Sequence, residues 1–76
     1  MRLIANVPST HRNNLIEWLV LEDDPTDTRG FYLSFHRSLE EPSEYDSWHQ
    51  SKELALLEAQ RLYGVTKDQW TSVKGE

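Results

Sequence analysis

The segment Phe31-Tyr32-Leu33-Ser34-Phe35-His36-Arg37 alternates apolar side chains with polar or amphipathic ones. A period of two belongs to a strand whose successive side chains point to opposite faces, which puts Phe31, Leu33 and Phe35 on a buried face and Tyr32, Ser34 and His36 on a wet one. Such a strand cannot stand alone. Its backbone needs partners and its apolar face needs a cover, so the chain must build a sheet with something packed on one side. The 76 residues leave room for one such domain over 1–76, with termini that are free to be disordered.

The flanking sequence supplies candidates for each part. Leu3 to Val7 is a short apolar stretch stopped by Pro8, while Ser9 to Asn14 is polar and reads equally as a loop or a first helical turn. Leu15 to Glu22 fits helical spacing through Leu15, Ile16, Leu19 and Val20. Its density of Trp, Ile and Val, and the turn-rich stretch from Asp23 to Gly30 that follows, make a strand the expectation. Glu40-Glu41-Pro42-Ser43 reads as a turn. Glu44 to His49 then reads as a further strand, polar enough to belong at a sheet edge.

Ser51 is placed to cap a helix from about Lys52 to Tyr63, with Glu53 in its first turn and Gly64 as a left-handed stop. Ala55, Leu56, Ala59, Leu62 and Tyr63 share the face that a sheet would cover, Leu57 points away from it and Leu54 lies at its border. Thr66-Lys67-Asp68-Gln69 matches a capping box, so a short helical turn carrying Trp70 is expected, with the indole folding back over the core. The expected fold is therefore α+β: a small antiparallel sheet of three to four strands, one main helix packed on one face, and a short C-terminal helical turn.

The run Tyr45-Asp46-Ser47-Trp48-His49-Gln50-Ser51, leading into Glu53, Ala55 and Ala59 and then Tyr63-Gly64-Val65 and Trp70, resembles small bacterial proteins of uncharacterised function. In those a strand ending Asp-x-Trp-His runs into an Ala-rich helix, an aromatic-Gly-Val and a Trp. The resemblance covers the C-terminal two-thirds of the chain, supports the order of sheet then helix, and carries no activity to transfer. The topology also looks like small antitoxin-type domains of one sheet and one helix, although their glycine and proline signature is missing.

Composition narrows the function classes. Eight Lys and Arg stand against 13 Asp and Glu, for a formal charge of −5, which repels a phosphate backbone and suits a basic partner. The chain has no cysteine, so disulfides, thiolate metal sites and cysteine nucleophiles are excluded together. Apolar runs such as Trp18 to Leu21 fall far short of the ~20 residues that cross a bilayer. The N-terminal apolar stretch is likewise too short for a secretory signal core of about 7 to 15 residues, so a cytoplasmic location without membrane contact is expected. Gly30, Gly64 and Gly75 are the only glycines, which leaves no phosphate-cradling loop. A domain this small has little interior to give to a catalytic cavity, and no cofactor is implied.

These considerations favour a non-enzymatic interaction or regulatory module, of the inhibitor, immunity or antitoxin type, that binds a basic protein. Its candidate contact residues are Glu22, Asp23, Asp24, Asp27, Glu40, Glu41, Glu44 and Asp46. Leu54 and Leu57 form a candidate apolar interface, and a homodimer through that side or through an edge strand would help so small a core. A second reading gathers Asp46, His49 and His36, with His11 of open position, into a metal-dependent or hydrolytic site on one sheet face. The favoured reading of these residues is structural: His49 ends a strand and holds the strand-to-helix corner with its ring nitrogens, while His36 sits on the solvent face. A third reading has Tyr32, Trp48 and Trp18 stack single-stranded nucleic acid, yet Arg29 and Arg37 are the only cations it places near the sheet, which makes nucleic acid a poor partner.

Overall fold

In a computed structural model, which describes residues 2–8, 15–24 and 27–73 and only the backbone of Asp24 and of residues 27–29, the alternating segment up to His36 lies within a strand that runs from Asp27 to His36. This strand, β3, follows β1 (Arg2–Asn6) and β2 (Trp18–Asp24) and precedes β4 (Tyr45–His49). Helix α1 (Lys52–Tyr63), a 3-10 turn over Lys67–Gln69 and a two-residue strand β5 (Thr71–Ser72) complete the chain. The sheet order is β4-β3-β2-β1-β5, and every neighbouring pair is antiparallel.

The sheet therefore has five strands where three to four were expected. The addition is β5, which pairs Ser72 with Leu3 and Thr71 with Ile4, and beyond it the Val73 N–H donates to the Arg2 carbonyl at 3.0 Å. Two exposed polar residues carry no periodicity, so backbone pairing alone defines this strand. The segment from Leu15 to Glu22 is strand from Trp18 onward, and the turn-rich stretch that follows is shorter than its composition implied. β2 continues through Asp24 and β3 resumes at Asp27, with the register shifting between Asp23 and Asp24. A bulge of this kind lets two strands keep pairing through residues that would otherwise end the ladder.

Leu33 and Phe35 of β3, Leu19 of β2 and Ala5 of β1 form the buried side of the sheet with Ala59 and Tyr63 of α1, and Val7, Ile16 and Val65 close its ends. α1 rests on β3 and β4 through Ala55, Ala59 and Tyr63, all buried. Alanines at the contact let the helix backbone come close to the sheet. Ser51 caps the helix by accepting from the Leu54 N–H at 3.1 Å, and Gly64 ends it at φ 68° with its N–H donating to the Gln60 carbonyl. Leu62, expected on the covered face, is 38 % exposed, because the helix leans on its small residues and leaves Leu62 at the flank. The capping box over Thr66 and Gln69 is present, and the partly buried Trp70 packs on the core as expected. Among the described residues no helix is long and apolar enough to cross a membrane.

Candidate functional site

The face of the sheet away from α1 is assembled row by row by the strand register. One row reads Arg2, Glu22, Tyr32 and Trp48 across β1 to β4, and the next reads Ile4, Val20, Ser34 and Asp46. A third aligns Asn6, Trp18 and His36. Side chains two apart in a strand share a face, so these rows form one continuous surface. It is neither wholly wet nor wholly packed: Val20 at its centre is 1 % exposed, while Tyr32 and Trp48 are 38 % and 43 % exposed.

Trp48 is held in place by a missing side chain. Its indole lies directly against Gly30, where a Cβ would collide with the Nε1, Cε2 and Cζ2 atoms. Gly30 is thus required as a close-approach position, and the ring lies over the backbone of the neighbouring strand.

Glu22, Asp23, Tyr32, Ser34 and Asp46 line a shallow depression of about 610 Å³ on this surface. Glu22 and Asp46 bring their carboxylates from the two strands that flank β3, whereas Asp23, next to Glu22 in β2 and in register with Phe31, alternates to the other face. With neighbouring strands about 4.8 Å apart and two residues of rise between their rows, the backbones of Glu22 on β2 and Asp46 on β4 stand about 12 Å apart on a diagonal across Tyr32 and Ser34. Arg2 Nε lies 4.0 Å from the Glu22 carboxylate, at the outer limit of an ion pair. Asp46 pairs with no cation among the described residues. Arg2 is a cation of this face that sequence reasoning missed, since only the register of β1 on β2 brings it beside Glu22.

The other acidic candidates are dispersed. Glu40 and Glu41 lie exposed in the turn after β3, where the Glu41 carbonyl oxygen lies 3.1 Å from His36 Nδ1. Glu44 is paired with Arg37 at 3.6 Å. Asp24 and Asp27 face each other in the β2–β3 ladder, and their side chains, like residues 25–26 of the turn, lie outside the described residues. Leu54 and Leu57 are 49 % and 61 % exposed on α1, outside the packed core.

The grouping of Asp46, His49 and His36 on one sheet face is not what the strands build. Three residues apart in β4, Asp46 and His49 point to opposite faces, because alternation has a period of two. Asp46 and His36 share the open face. His49 lies on the helix side, where its Nε2 is 2.8 Å from Ser47 Oγ, a hydrogen bond that fixes the strand end ahead of the Ser51 cap. Ser47 and His49 thus form a hydroxyl–imidazole pair with the β4 carboxylate turned away from it. Among the described residues no group of three or more His, Asp or Glu side chains is arranged to hold a metal ion. His11 lies outside the described residues.

No family model matches the chain, and no curated protein or solved structure is significantly similar to it. The likeness drawn on Asp46 to Trp70 rests on sequence pattern alone.

Proposed function

We propose that this protein is a non-enzymatic interaction module, regulatory in character, that binds a basic partner protein through the open face of its sheet. The observation that carries this reading is the depression in which Glu22 of β2 and Asp46 of β4 stand either side of the exposed ring of Tyr32. A formal charge of −5 over the whole chain draws a basic protein toward this face and speeds encounter, and the aromatic surface supplies the short-range contact. Glu40, Glu41 and Glu44 lie on the connection between β3 and β4, beyond the His36 end of β3 and away from the Glu22 end of the face, and Glu44 is already paired with Arg37. Leu54 and Leu57 stand on the opposite side of the sheet, so self-association through α1 would leave the acidic face open.

The test is comparative affinity capture from the source cell's extract, using the wild-type chain beside a Glu22→Gln, Asp46→Asn variant. A basic protein retained by the wild type, released by salt but not by nuclease, and lost from the variant is the expected result. Equal capture by both chains, or release by nuclease, would count against this surface.

A further inference from the structure

We propose that the open face is built to take an arginine side chain of the partner, with its guanidinium lying against the exposed ring of Tyr32 and held by the carboxylates either side. The inference deepens the reading of the acidic face given above and rests on it. Three features of the geometry favour arginine over cations in general. The first is the row Glu22, Tyr32, Trp48, which sets a carboxylate and two exposed aromatic rings side by side on one surface. A planar guanidinium can stack on a ring while its N–H fork reaches an adjoining carboxylate, whereas an ammonium is a compact, strongly hydrated point charge without that plane.

The second is preorganisation. The Trp48 indole is seated on Gly30, so the ring beside Tyr32 in the row needs no ordering when a ligand arrives. The third is that the row already carries a guanidinium at its other end. Arg2 lies beside Glu22 at 4.0 Å, a separation that leaves the carboxylate able to accept a closer donor. Asp46, one row along and without a cation among the described residues, supplies the second anchor for a segment carrying more than one arginine.

The experiment is a calorimetric titration of the whole chain at low salt with a short blocked Gly/Ser peptide carrying arginines, and with the same peptide carrying lysines. The arginine peptide is expected to bind about threefold to fivefold more tightly, the margin that stacking on an exposed ring provides. Tyr32→Leu should remove the preference by weakening the arginine peptide more than the lysine peptide, and Arg2→Gln should tighten the arginine peptide by removing its internal competitor. Equal affinity of the wild type for both peptides would overturn the arginine assignment and leave the acidic docking face standing. No binding of either peptide would overturn both. The wild-type comparison needs no variant, so a Tyr32→Leu chain that fails to fold does not blunt it.

Discussion

The phenol oxygens of Tyr45 and Tyr63 lie 2.7 Å apart, tying the start of edge strand β4 to the last turn of α1. Phe35 of β3 completes the cluster, stacked on Tyr45 at a ring separation of 4.8 Å and tilted against Tyr63 at 5.6 Å. The helix is thus fastened to the two strands that also carry Tyr32, Ser34, Asp46 and Trp48 on their opposite side. Rigidity of the open face and packing of the core are two sides of the same pair of strands.

This relationship has a pH signature. Burial first, and then the hydrogen bond with Tyr45, raise the pKa of Tyr63 well above the ordinary phenol value of about 10. Because the folded value is the higher one, the associated stability is fully present below about pH 10 and is lost as pH rises toward the folded value. In an alkaline titration followed by tyrosinate absorbance, one phenol should remain protonated until the chain unfolds. Tyr63→Phe should remove that late phase and cost about 0.5 to 1.5 kcal/mol in urea unfolding at neutral pH. A late phase that persists in Tyr63→Phe would contradict the assignment.

Gly30→Ala tests the seat of Trp48. The added Cβ overlaps the indole, so the ring must turn away or the strands must part, at a cost of roughly 1 to 3 kcal/mol. Tryptophan emission should shift to longer wavelength as the ring gains water, and binding at the open face should weaken with it. Unchanged emission and stability would show that the ring has room to spare.

How much of this was legible in the chain depends on the range of the interactions involved. The bounds of α1 were readable because Ser51 and Gly64 act on their own helix ends through local backbone geometry. The faces of β3 were readable because Phe31, Leu33 and Phe35 alternate with Tyr32, Ser34 and His36. The alternation also decides that Asp46 and His49 part company once both lie in one strand, since only helical spacing would bring residues three apart together. What no local rule supplies is register. The alignment of Arg2, Glu22, Tyr32 and Trp48 depends on three separate pairings between distant segments, and β5 exists only through its partner β1.

The caps make quantitative expectations simple. Ser51→Ala should cost about 1 kcal/mol, because the Leu54 N–H loses its acceptor at the helix start. Gly64→Ala should cost a similar amount, because an alanine at φ 68° meets the left-handed penalty. Both are measured by urea midpoints at constant slope, and a change in slope would mean that the substitution altered more than the cap.

Beyond the helix, the Thr66 hydroxyl donates to the Asp68 carboxylate, and this bond first, then a backbone N–H, holds the Asp68 pKa below the ordinary carboxylate range. A depressed folded value means that the contribution is present above the unfolded pKa and is lost as pH falls through the folded one. Carboxyl carbon shifts should report Asp68 titrating below ordinary aspartates, and Thr66→Val should bring it back toward them. If Thr66→Val leaves the titration in place, the hydroxyl is not its main cause.

The open face should also be recognisable by what it costs the free protein. Glu22 and Asp46 stand across one depression in a chain that already carries a charge of −5, so they repel each other across roughly one Debye length. Asp46 has no cation to offset this among the described residues, whereas Glu22 has Arg2. Asp46→Asn should therefore stabilise the chain by a few tenths of a kcal/mol at low salt, and the gain should fade as salt is added, because screening removes the same repulsion. Glu22→Gln should gain less, since it gives up its attraction to Arg2 as well. A residue whose removal stabilises the fold yet weakens capture of a basic partner is one retained for binding, and the two measurements on Asp46→Asn separate that role from a structural one. Loss of stability at every salt concentration would place Asp46 among the residues that hold the sheet together.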